Sequence, residues 1–145
     1  MKTCLVLYHS RGGNTLTTAE AIAQAARDHH YEATVKSIIE IQKADIDAAD
    51  VLFIGTWVQG FILFGVKPAD ANLWVQSLPS LANKPTGIFC TYAFNPRGSL
   101  NKLASMLQEK GAAIVGRQAF NRNRLTEGSE AFVQRVLQAQ TEITA

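Results

Sequence analysis

The 145-residue chain is poor in cysteine, with only Cys4 and Cys90. That excludes a disulfide-rich scaffold. Both cysteines stand in apolar, strand-like runs, and the expectation is two buried free thiols in a reducing compartment. Charge of one sign is also scarce. Lys plus Arg is 14 and Asp plus Glu is 12, a net of +2. Such a balance gives no reason to expect a nucleic-acid partner, and no stripe of interleaved basic and aromatic residues supplies one. No segment approaches the ~18 apolar residues of a membrane-crossing helix. The N-terminal apolar run in MKTCLVLYHSRGG is too short for a signal-peptide core. His9, His29 and His30 have no metal-ligand spacing with cysteines or acids. No pair of side chains resembles a catalytic constellation, and there is no repeat or linker. These absences lead to the expectation of one cytoplasmic domain, residues 1–145, with neither a resident metal nor a catalytic side chain.

What is present is an alternation. Thr3 to His9 reads as a strand. Leu16, Ala19, Ile22, Ala23 and Ala26 then recur at helical spacing from Asn14 to Arg27, with Thr17 and Glu20 as a capping pair. Tyr31 to Ser37 reads as an edge strand. Val51 to Gly55 is a continuous apolar run, as in a strand covered on both faces. Leu73 to Leu81 suggests a helix, ended or bent by Pro79. Thr86 to Thr91 is another buried strand. A helix through Leu100, Leu103, Ala104 and Leu107 stops at Gly111. Ala112 to Phe120 is a strand, and Phe132, Val133, Val136 and Leu137 line a last helix. The pattern predicts an α/β fold, a doubly wound five-stranded parallel sheet with helices on both faces. Ligands of such sheets sit beyond the carboxyl ends of the strands, where the winding reverses. The loops to inspect follow Tyr8, Gly55 and Phe89.

The first of these loops holds Ser10, Arg11, Gly12, Gly13, Asn14 and Thr15 where a strand hands over to a helix. A helix N-terminus leaves several N–H groups unpaired and carries partial positive charge. Glycines let a ligand approach that backbone, and hydroxyls add donors, so the loop suits a phosphate. It is not a nucleoside-triphosphate loop, because no Lys follows the glycines. Nor is it a G-x-G-x-x-G fingerprint, because Gly12 and Gly13 are adjacent. A glycine-rich turn capped by Asn or Thr is the alternative. The second loop carries Trp57 just past VLFIG, and the third carries Tyr92 and Phe94 just past GIF. Aromatic walls at one end and backbone donors at the other would hold a flat heteroaromatic with a phosphate tail.

These motifs, in this order and spacing, resemble the short-chain flavodoxin family over essentially the whole chain. The family phosphate loop, roughly [ST]-x-[ST]-G-x-T, is matched by SRGGNT. Its Thr-Trp after the third strand is matched by Thr56 and Trp57, and its paired aromatics by Tyr92 and Phe94. The resemblance implies bound FMN. Ser10, Arg11, Gly12, Gly13, Asn14 and Thr15 would surround the phosphate. Trp57 and either Tyr92 or Phe94 would flank the isoalloxazine. Backbone groups of Thr56, Trp57, Val58, Gln59 and Gly60, and of Cys90, Thr91, Tyr92, Ala93 and Phe94, would meet its polar edge. The implied role is an electron carrier between redox partner proteins. The alternative is a small FMN-dependent NAD(P)H or quinone oxidoreductase acting on a free substrate. Gly12 stands where the family often has a hydroxyl. No acid occurs from Val51 to Ala69 or from Ala71 to Gln108, so the acidic rim of electron-carrying flavodoxins is missing. Phe61, Ile62, Leu63 and Phe64 are either an inward-folded lid or a docking patch for a partner, a second subunit or a quinone-like substrate. Arg117, Arg122 and Arg124 are either a solvated rim or a guide for an anionic partner or a nicotinamide phosphate.

Overall fold

Strands form where the sequence is apolar on both faces or alternates, and they assemble here into one sheet. A computed structural model describes residues 1–10, 12–59, 67–68, 74–96 and 98–144. The strands are β1 (Thr3–Tyr8), β2 (Glu32–Ser37), β3 (Val51–Gln59), β4 (Lys67–Pro68), β5 (Pro85–Tyr92) and β6 (Ala113–Asn121). Five run parallel in the order β2-β1-β3-β5-β6, and β4 lies antiparallel on β3. The described helices are α1 (Asn14–Asp28), α2 (Lys43–Ala48), α3 (Ser99–Glu109) and α4 (Ser129–Thr144).

The helices divide between the two faces. Ala19, Ile22, Ala23 and Ala26 of α1 pack with Phe132, Val133, Val136 and Leu137 of α4 against Val6, Phe53, Phe89 and Phe120. Ile46 of α2 and Leu103, Ala104 and Leu107 of α3 pack on Leu5, Leu7, Leu52, Ile54 and Ile88. Successive side chains of a strand point to opposite faces. Val51, Phe53, Gly55 and Trp57 therefore share the α1 face, and Leu52, Ile54 and Thr56 share the other. The central strands are buried on both faces, which explains why they read as unbroken apolar runs.

The winding reverses between β1 and β3. The chain leaves β1 toward β2 on one side and returns to β3 on the other. The loops after β1 and β3 consequently diverge, and a crevice opens between them at the carboxyl end of the sheet. The end of α3 agrees with the sequence: Gly111 has φ +94, and the N–H of Ala112 returns to Leu107 O at 3.0 Å.

Three sequence expectations change. β3 does not stop at Gly55 but continues through Gln59, with Trp57 paired to Thr91 and Val58 to Pro68. Gly55 marks a close approach instead of an end, since a Cβ there would clash with the ring of Phe89. Thr17 does not cap α1. It lies one turn inside the helix and donates its hydroxyl to Gly13 O at 3.1 Å. Of the helix expected from Leu73 to Leu81, Leu73 lies outside the described residues and Trp74 is helical. Val75 to Ser77 form a turn closed by Leu78 N–H on Val75 O at 3.1 Å. The restriction that Pro79 places on Leu78 disfavours helix ahead of it.

Candidate functional site

α1 begins with an uncapped N-terminus. Its N-cap residue is Gly13, held at φ +90, a conformation that favours glycine. Ser10 is already engaged, accepting the Gly13 N–H on its Oγ at 3.0 Å. The first intrahelical bond runs from Thr17 N–H to Gly13 O. The N–H groups of Asn14, Thr15 and Leu16 precede it and have no acceptor within the helix. No acid stands in the first turn. A Cβ built on Gly12 or Gly13 meets nothing within 4 Å, so the backbone faces open space.

Trp57 closes this space from the side. Ser10, Gly12, Asn14, Thr15 and Trp57 together line a cavity of 290 Å³ at the switch between β1 and β3. Two more details tie the region together. The Thr15 and Thr91 hydroxyls lie 3.0 Å apart and are buried, although 76 residues separate them in sequence. The Trp57 Nε1 is buried without a hydrogen-bond partner among the described residues. A buried N–H left unpaired costs on the order of 1–3 kcal/mol, so this donor is a place where an acceptor would be welcome.

The remaining expected residues lie around this centre. Thr56 is buried on the opposite face, level with Cys90. Burial pushes the Cys90 thiol up to about 12, so it stays protonated and unreactive near neutrality. Val58 is half-buried in β3. Tyr92 ends β5, half-buried, and its carbonyl accepts the Arg122 N–H at 2.9 Å. Phe94 is 73% exposed whereas Tyr92 is half-buried, and neither lines the cavity. Arg11, Gly60, Phe61, Ile62, Leu63 and Phe64 lie outside the described residues, and Gln59 is seen as the last residue of β3.

The basic cluster is partly engaged. Arg117 donates to Asn101 Oδ1 at 2.6 Å, and Arg124 Nε lies 3.6 Å from Glu127 Oε2. Every described residue lining the cavity belongs to the set expected from sequence. The Thr15–Thr91 side-chain contact does not, because nothing local links two threonines so far apart.

These features place first-turn N–H groups that have no acceptor within the helix beside an indole. They fit a phosphate monoester carried on a flat ring. A family model described as a flavodoxin domain matches residues 5–124, and the chain belongs to the flavodoxin family. The fold is similar to that of the two-electron reduced flavodoxin of Megasphaera elsdenii. The TM-score is 0.73 at 16% identity, covering 97% of this chain and 99% of that one. It is similar to oxidised flavodoxin 2 of Bacillus cereus, with TM-score 0.72 and 18% identity over 94% and 98% of the two chains. It also matches the rubredoxin oxygen:oxidoreductase of Desulfovibrio gigas, with TM-score 0.76 and 16% identity, covering 100% of this chain but 37% of that one. No curated protein matches the sequence. FMN is the cofactor of the family, whose general function is electron transfer with redox partner proteins. No helix among the described residues is long and apolar enough to cross a membrane.

Proposed function

We propose that this chain is an electron carrier that shuttles between redox partner proteins with FMN held at the α1 N-terminus. The observation that supports this most is the shared cavity. Asn14 and Thr15, whose N–H groups have no acceptor within α1, line the same 290 Å³ as Trp57. FMN supplies the redox chemistry when bound, and the protein supplies binding, orientation and electrostatics. The Asn14, Thr15 and Leu16 N–H groups, the Asn14 amide and the Thr15 hydroxyl hold the phosphate, aided by the helix dipole. Gly12 and Gly13 leave room for it, and Ser10 fixes the turn. Trp57 and Tyr92 exclude water from the ring, while backbone groups of β3 and β5 at their carboxyl ends orient its polar edge. Arg11 and Gly60 complete the set from sequence. No side chain acts as acid, base or nucleophile in this role.

Purified protein should be yellow, with flavin absorption in the visible. NADPH alone should not bleach it, whereas NADPH with a flavodoxin reductase should. Rapid bleaching by NADPH without a reductase would overturn the carrier reading in favour of an NAD(P)H oxidoreductase.

A further inference from the structure

The Thr15 and Thr91 hydroxyls face each other at 3.0 Å. Both residues are almost fully buried, at 1% and 3% exposure. A hydroxyl has one proton to give and two lone pairs. In a pair, one member gives its proton and the other keeps its own free. Thr15 also lines the cavity at the α1 N-terminus. A doubly ionised phosphate there carries no proton to donate, so a hydroxyl facing it must donate. If Thr15 gave its proton to Thr91, it would present lone pairs to the anion.

We propose that Thr91 is a positioning residue for phosphate recognition: its hydroxyl donates to Thr15 Oγ1 and turns the Thr15 proton into the cradle. The proposal rests on the reading that this cradle holds the phosphate of FMN. The chain of donors runs from Thr91 on β5 through Thr15 on α1 to the phosphate. Each donation polarises the next and strengthens it. β5 thereby contributes a side chain to the phosphate end of the cofactor, beyond the backbone it offers near the ring. Thr91 can do so because it is level with Trp57 in the sheet and points to the α1 face, as Phe89 does.

The test compares FMN with riboflavin, which lacks the phosphate, on the full chain freed of flavin. Binding is read from flavin fluorescence, and melting confirms that each variant folds. Thr91→Val, similar in shape without the hydroxyl, should weaken FMN about five-fold, the factor for one neutral hydrogen bond. Riboflavin affinity should not change. Thr91→Ser keeps the donor and should stay within about two-fold of the parent. In a Thr15→Val background, Thr91→Val should cost FMN nothing further, because its only route is through Thr15. Equal weakening of FMN and riboflavin by Thr91→Val would overturn the proposal, as would additive losses in the double variant or no loss at all. Thr15→Val by itself tests the reading beneath. If it weakens both flavins alike, the phosphate is not held here and the proposal falls with that reading. If it weakens FMN alone, only the Thr91 results decide.

Discussion

The small cavity at the α1 N-terminus and the two larger hollows beside β2 differ in what their polar groups still need. The cavity measures 290 Å³, and the hollows measure 530 and 510 Å³. One hollow lies between β2 and α2 and contains the Lys36–Asp45 pair at 2.9 Å. The other lies between β2 and α1, where Arg27 donates to Ala33 O at 2.8 Å. In each hollow a basic side chain already has its partner, a carboxylate for Lys36 and a backbone carbonyl for Arg27. At the cavity, by contrast, the first-turn N–H groups of α1 lack intrahelical acceptors, and the buried Nε1 of Trp57 has no partner among the described residues. Volume is poor guidance to a binding site; polar groups positioned by the fold and left wanting a partner are better.

Four substitutions bear on that contrast, and the largest effect is expected inside the cavity. Asn14→Ala should weaken FMN by about 1.5–3 kcal/mol, the range for a hydrogen bond to a charged group. Riboflavin should be unaffected, and parallel titrations of the two flavins measure both. Gly55→Ala comes next. The added methyl would meet the ring of Phe89, and overpacking of this kind costs about 1–3 kcal/mol. Urea unfolding should show the loss.

Gly55 also shows where sequence and structure part. A glycine after four apolar residues reads as the end of a strand, yet here it lets β3 run beneath Phe89 and carry Trp57 up to the cavity. The strand continues because Thr56, Trp57 and Val58 are good strand formers with a neighbour to pair with. The alternating pattern was legible because each element's periodicity is local, and so was the first loop, whose glycines, hydroxyls and amide are consecutive. What could not be read depends on distant parts of the chain. The two-residue β4 has no pattern of its own, the Thr15–Thr91 contact joins α1 to a strand far along the chain, and the exposure of Phe94 follows from the path of its loop.

Trp57→Ala should have the third-largest effect. Loss of stacking is worth about 0.5–1.5 kcal/mol beyond the lost contact area, and FMN and riboflavin should suffer alike because both carry the ring. A loss confined to FMN would place the indole on the phosphate instead. The smallest effect is expected in the hollow. Lys36→Ala should leave flavin binding unchanged and alter only stability, in a pH-dependent way. The Lys36 ammonium, followed by the Gln42 N–H, holds the Asp45 carboxyl below its ordinary value of 3.8. A depressed carboxyl adds stability above its unfolded pKa and loses it as pH falls through the folded one. The parent's melting temperature should therefore exceed the variant's near neutrality and converge with it in acid. Weakened flavin binding in Lys36→Ala would break the contrast between the two regions.

The central claim is that the α1 N-terminus recognises the cofactor through its phosphate. Titrating the unaltered, flavin-free protein with FMN and with riboflavin at one ionic strength tests this directly. Two charge-assisted hydrogen bonds at about 1.5–3 kcal/mol each predict that FMN binds at least on the order of 100-fold more tightly. Equal affinities for the two flavins would contradict the account.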